Sequence, residues 1–284
     1  MGDIKDYWHR FFQEKNGGQD WWHRKKKLCK QREAQIVKVK GQGIVLGKQS
    51  YDISRRIDYA MHFTYLIKQQ DLFYTEEQII PYKWTWDSEG KGRHQHIEKF
   101  QGEEITNQLS VLKQANLPDS DREIEYNRLE AVRYAERWWN SFNPAYRRFE
   151  DDCTNYISQC LRAGGSPMWG EPVRERGWWY SNNSWSFSWS VAHSLRWYLS
   201  GSERGLRGIE VESPEELNPG DVICYDFDGD DLWNHTTIVV RKDANNMPLV
   251  NAHTDNSRNR YWTYEDSAAW TPEIRYKFFR IEVS

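Results

Sequence analysis

The strongest constraint on what this chain can fold into is a single switch in the spacing of its apolar residues. Leu129, Val132, Ala135, Trp139 and Phe142 recur every three to four positions, as on one face of a helix, and Asn143-Pro144 ends the pattern. A second helix is expected at Cys153. Asp151-Asp152 precede it as acidic N-terminal residues, Tyr156, Ile157, Cys160 and Leu161 form its buried stripe, and Gly164-Gly165 stop it. Ser188 to Leu199 reads as a third helix. Beyond it the period becomes two, giving strands over Asp221 to Tyr225, His235 to Arg241, Leu249 to Thr254 and Arg275 to Val283. Helices followed by a meander of strands specify an α+β domain with helices packed on an antiparallel sheet.

The other half of the chain is compositionally different. Residues 1–118 carry 20 Lys+Arg against 15 Asp+Glu, and residues 119–284 carry 19 against 27, so the halves have net charges of +5 and −8. Around Pro118 the polar run Gln114-Ala115-Asn116-Leu117-Pro118-Asp119-Ser120-Asp121 reads as a linker. We therefore expect an accessory domain over 1–118 and a second domain over 119–284. In the first, an amphipathic helical stretch ends in Arg24-Lys25-Lys26-Lys27, and alternation over Gln35 to Lys40 and Ile57 to Leu66 predicts strands, making a small helix-plus-antiparallel-sheet domain. The basic run is expected to be a solvated helix face. His94 and His96 sit two apart, on one face of a strand, without a third metal ligand.

Composition excludes several classes. The overall net charge is −3, which does not suit a nucleic-acid binder. No window approaches the roughly 18 consecutive apolar residues of a membrane span, and mean hydropathy is −0.93. The stretch from Met1 to Trp8 has no apolar core of the secretory type, so the expected location is cytoplasmic. Sixteen Trp allow a core built from a few large rings. The four cysteines form no CxxC pair and are expected as free thiols. Nothing speaks to oligomeric state.

Three positions could carry chemistry. Cys153 lies in the first turn of its helix, where the helix dipole and unsatisfied backbone N–H groups favour a thiolate, although Asp151 and Asp152 oppose it. A nucleophilic thiol needs a base, and His235 starts an apolar strand directly after a polar loop. The third member would orient the imidazole from the neighbouring strand, where Asn251, His253 and Asp255 alternate onto one face. Which of them is level with His235 depends on the turn at Pro248. The run Asp226-Phe227-Asp228-Gly229-Asp230-Asp231 looks like a calcium loop, but Asp231 stands where an EF-hand needs glycine and Thr237 where it needs Glu. It is better read as an acidic turn that aims His235 and raises its pKa. Trp178, Trp179 and Trp185 could stack on a ligand in a groove or could be packing residues.

Residues from about 123 to 265 resemble the bacterial putative amidase domain, a branch related to the NlpC-type and CHAP-type papain-like hydrolases. The resemblance rests on the Tyr126 to Trp138 pattern, Asn143-Pro144-x-Tyr146, the run from Asp152 to Leu161, Ala163-Gly164-Gly165, Pro167-Met168, Gly220-Asp221-Val222-Ile223, the Asp-Gly-Asp turn before His235, and His253-Thr254. It implies a papain-like fold in which Cys153 attacks an amide carbonyl to form an acyl-thioester. His235 would act as base, and Asn251 or His253 as its orienter. The backbone N–H of Cys153 would be an oxyanion donor, with Asp152 or Tyr146 supporting the hole, and Trp178, Trp179 and Trp185 would bind substrate. The implied substrate is a peptide or peptidoglycan-like amide, with no metal and no cofactor. Two rivals stand beside this reading: an inactive amidase-fold module that binds peptide or glycan through its tryptophans, and a zinc site made from His235, His253 and a cysteine.

Overall fold

The computed structural model describes residues 2–13, 20–51, 54–87, 89–97 and 125–284. The proposed linker around Pro118 lies outside the described residues. Contacts divide the chain into two compact units, Met1–Phe100 with Thr263–Trp270, and Gln101–Trp262 with Thr271–Ser284.

In the first unit two helices, α1 (Gly2–Gln13) and α2 (Trp21–Gln31), precede an antiparallel meander of β1 (Ala34–Tyr51), β2 (Ser54–Gln69), β3 (Leu72–Trp86) and β4 (Gly92–His96). The basic stretch is thus two helices, and the strands are longer than their alternation showed. Trp8 anchors α1: its indole N–H donates to the Tyr59 hydroxyl at 3.2 Å and its ring meets Phe63 and Tyr82 edge-on at 5.0 Å. Asp20 caps α2 by accepting from the His23 N–H.

The basic run is not wholly a solvated face. Lys25 is only 2% exposed, with Nζ 2.5 Å from Glu76 Oε2 and 3.0 Å from Asp266 Oδ2. Arg32 reaches the other Glu76 oxygen at 2.5 Å, and Gln78 Nε2 donates to Asp266. Burial alone would neutralise the Lys25 amine, but Asp266 and Glu76 outweigh it and hold the cation. Arg24 donates to the Glu265 and Ser267 carbonyls at 2.7 Å. These contacts explain why 263–270, late in the sequence, packs in the first unit. His94 is half-buried among Tyr7, Trp8, Tyr82 and Trp84, and that desolvation lowers its pKa to about 4.

The second unit is mixed α and β. Its helices are α3 (Arg128–Trp138), α4 (Cys153–Ala163), α5 (Phe187–Ser190) and α6 (Ala192–Gly201), with a small hairpin of β5 (Tyr180–Ser181) and β6 (Ser184–Trp185). Then come β7 (Leu206–Val211), β8 (Val222–Asp226), β9 (His235–Lys242), β10 (Pro248–Ala252), β11 (Asn256–Tyr261) and β12 (Arg275–Val283). The strands form an antiparallel array in the order β11-β10-β9-β8-β12-β7.

Two local expectations are corrected, and two strands are added. Helix α3 ends at Trp138, and its buried residues are Ala131 and Ala135, while Leu129 is 57% exposed. The helix expected over Ser188 to Leu199 breaks at Val191, whose extended backbone separates α5 from α6. Strands β7 and β11 carry too many charged and small polar residues to show a clean alternation.

Directly opposed residues share a face of the sheet, which sorts the second unit. Val222 and Phe279 pair, as do Val222 and Ile238, and Cys224 and Thr236. This face packs with Tyr156, Ile157, Cys160 and Leu161 of α4 in one core. Trp178 and Trp179 are 0% and 1% exposed, packing as core rather than as a ligand-facing groove. Trp178 donates to the Ser158 hydroxyl at 3.0 Å, and Trp179 to the Val173 and Arg176 carbonyls. Trp185 is half-buried and faces the guanidinium groups of Arg147 and Arg174. Trp178→Ala should lower stability by about 3–5 kcal/mol in urea unfolding, whereas Leu129→Ala should cost about 0.5 kcal/mol or less.

Candidate active site

Cys153 is the first residue of α4, and its side chain is turned into the protein, leaving 5% exposed. Its sulfur lies 3.7 Å from the Thr154 hydroxyl, which is 3.2 Å from the Thr236 hydroxyl. Burial pushes the thiol pKa up, while the side-chain and backbone hydrogen bonds of Thr154 and Thr236 pull it down without cancelling that rise. The resting group is therefore a neutral thiol ringed by donors suited to a thiolate. The other cysteines, Cys29, Cys160 and Cys224, are also free and buried.

Asp152 stands at the N-cap of α4 yet makes no side-chain cap. Its Oδ1 instead accepts from the Phe149 N–H and the Asn155 side-chain amide, each at 2.9 Å. Its Oδ2 faces His253 Nδ1 at 2.8 Å, and both partners are under 5% exposed. The other ring nitrogen, Nε2, lies 2.8 Å from the Trp138 carbonyl. Both ring nitrogens thus face acceptors, and the ring is held at both ends. The ring lies flat on Tyr156, with centroids 3.9 Å apart and planes within 12°. Thr254, the next residue, has a φ of 89°, a strained backbone for a β-branched side chain.

The rest of the helix motif is held in the same way. Asn155 donates to the Arg147 carbonyl and accepts from the Trp189 indole at 2.8 Å. Tyr156 donates to the Ala135 carbonyl, Ser158 to the Trp189 carbonyl, and the Gln159 amide oxygen accepts from the Tyr134 hydroxyl. A run whose polar residues have partners throughout the unit cannot be exchanged piecemeal.

His235 is placed elsewhere. Opposed to Tyr225, it shares the sheet face of Tyr225 and Thr237, whereas Thr236 turns to α4. Its ring lies 5.6 Å from Tyr225 and 5.8 Å from Phe227. The resting structure therefore does not bring the His235 ring to Cys153. Burial and then Arg260 lower its pKa to about 3, against the pull of Asp255, so the expected acid-raised histidine is not found. The Asp226 carboxylate is occupied by the N–H groups of Gly229, Asp230 and Asp231 and shapes the turn.

Asn251 pairs with Ile238, three residues along β9 from His235, and faces α3. Its amide donates to Glu136 Oε1 at 2.9 Å and its oxygen accepts from the Asn259 N–H. Glu136 also receives Arg258 at 2.7 Å. Asn251 is thus a strut between α3 and the sheet rather than a partner of His235. Tyr146 packs on Tyr180 and Trp189. Among the described residues no group of three or more His, Cys, Asp or Glu could hold a metal ion, so the His235–His253–Cys zinc arrangement is not assembled. Nor is any helix of the described residues long and apolar enough to cross a membrane.

The residue the sequence reading undervalued is Asp152 in its pairing with His253. Its signal was an N-cap-type residue that precedes a candidate nucleophile, together with a histidine in the polar strand 101 positions later.

The histidine burial has a pH consequence. His235 protonates near pH 3 in the fold but near 6.5 when unfolded, so the unfolded chain takes up the proton first. Stability is fully present above about pH 6.5 and falls as pH drops toward about 3. Denaturant midpoints measured at several pH values should show this loss, and His235→Gln should make the slope shallower.

A family model described as a putative amidase domain matches residues 125–279. The chain is 48% identical over 265 residues to the uncharacterized protein YhbB of Bacillus subtilis, covering 91% of this chain and 85% of that protein. It is 29% identical over 141 residues to the uncharacterized protein YjcM of the same organism, covering 47% of this chain and 32% of that one. No solved structure matches.

Proposed function

The chain belongs to the putative amidase domain family, and from that premise we propose that it is a cysteine amidase or peptidase whose second unit works as a papain-like hydrolase of the NlpC and CHAP type. The observation that carries the reading is Cys153 itself. It opens a helix that no side chain caps, and its sulfur is surrounded by the Thr154 hydroxyl and the hydroxyl and backbone of Thr236. Those donors favour the thiolate in the attack, and the leading backbone N–H groups of α4 are suited to receive the oxyanion.

In this reaction the Cys153 sulfur attacks the amide carbonyl carbon, the C–N bond breaks, and the amine leaves with a proton. Water then hydrolyses the thioester, releasing the acid and restoring the thiol. His235 serves as the base. It is the first residue of β9, and its chain neighbour Thr236 is the residue that hydrogen-bonds the thiol. Asp152 and His253 act as positioning residues for the start of α4. A peptide or peptidoglycan-type amide is the substrate class.

A second reading has its own observation. The placement of His235 away from Cys153 suits a domain that binds an amide-containing ligand without cleaving it. Amine release from peptide and peptidoglycan-fragment amides, with intact-mass analysis of the protein, separates the two. The hydrolase reading expects an acyl adduct on Cys153 and loss of turnover by about 10³-fold or more in Cys153→Ala. Ligand binding without amine release, or turnover retained in Cys153→Ala, overturns it.

A further inference from the structure

The N-terminal unit contains a cavity of about 530 Å³ between α1 and the first two strands. That size falls within the roughly 300–1,000 Å³ of small-molecule sites. Its walls are apolar, with Trp8 and Phe12 from the helix, Val39 and Val45 from β1, and Ile57 and Met61 from β2. Gly41 and Gly43 line it too, completing the alternate positions of β1 between the two valines.

The backbone does not require those glycines. Neither has a left-handed φ; a Cβ at Gly43 would meet only the flexible Met61 side chain, at 3.3 Å, and one at Gly41 would meet Met61 at 3.1 Å and the Phe63 ring in ordinary contact at 3.5 Å. What they do is leave space where neighbouring positions carry branched side chains.

A second feature gives the space a polarity. Lys5 and His9, one helical turn apart on α1, both line the cavity and are both exposed, and among the described residues no acidic side chain lines it. Apolar walls with a basic rim match an alkyl chain that ends in an anion. We propose that this cavity binds one free single-chain anionic amphiphile, with its alkyl chain against the glycine stripe and its carboxylate at Lys5 and His9. This site is independent of the chemistry at Cys153.

The test is a fluorescence titration of the full chain with a dansyl-labelled undecanoic acid, followed by competition with dodecanoate and dodecanol. Saturable one-to-one binding is expected, displaced more effectively by the acid than by the alcohol. Lys5→Glu should weaken dodecanoate by about five- to tenfold and leave dodecanol within about twofold. Gly43→Leu and Val45→Trp should each abolish binding with the thermal midpoint unchanged. Absence of saturable binding, undiminished binding by both filling variants, or equal displacement by acid and alcohol overturns the assignment. So does sedimentation with phosphatidylglycerol vesicles in the absence of dodecanoate binding, which would point to a membrane surface instead.

Discussion

The buried hydrogen bond between Asp152 and His253 is the contact on which the candidate site depends. An aspartate before a helix ordinarily caps it. Here the carboxylate is diverted to the Phe149 N–H, the Asn155 amide and the His253 ring, so the start of α4 is fixed by tertiary contacts while its leading amides carry no side-chain cap. His253 is held in turn by the Trp138 carbonyl and by stacking on Tyr156. One buried pair thus joins the end of α3, the start of α4 and the end of β10, and it sets where Cys153 points. Two groups so deeply buried are costly to separate, because either one alone would be an uncompensated charge or an unsatisfied polar group.

What the sequence made legible was local. The start and stop of α4 were visible because capping and glycine signals act within a few residues, and the four long strand candidates of the second unit were visible because a buried strand keeps its period. What stayed hidden depended on partners far along the chain. Lys25 reads as a solvated cation until Glu76 and Asp266 surround it, 51 and 241 positions away. Trp178 and Trp179 carry the same letters whether they line a groove or fill a core. The pairing of Asn251 with Ile238 follows from a one-residue register shift between Leu249 and Val250, without which its side chain would have turned to the other face.

The two histidines of the polar motif show how far a pattern can mislead about roles. His235 had the stronger positional claim, as a strand-starting histidine after an acidic turn, yet its ring sits among Tyr225 and Phe227 with Arg260 nearby and stays neutral. His253 was a secondary candidate and proves to be bonded through both ring nitrogens. Family membership and the donors around Cys153 support the proposal of chemistry at the start of α4, while the His235 ring rests against Tyr225 and Phe227.

The most direct measurement is a double-mutant cycle of Asp152→Asn and His253→Gln, read by urea unfolding. If the pair organises the start of α4, each single variant loses about 3–5 kcal/mol and the double variant loses little more than either one. Losses that add, or single variants that unfold like the parent chain, would contradict the account.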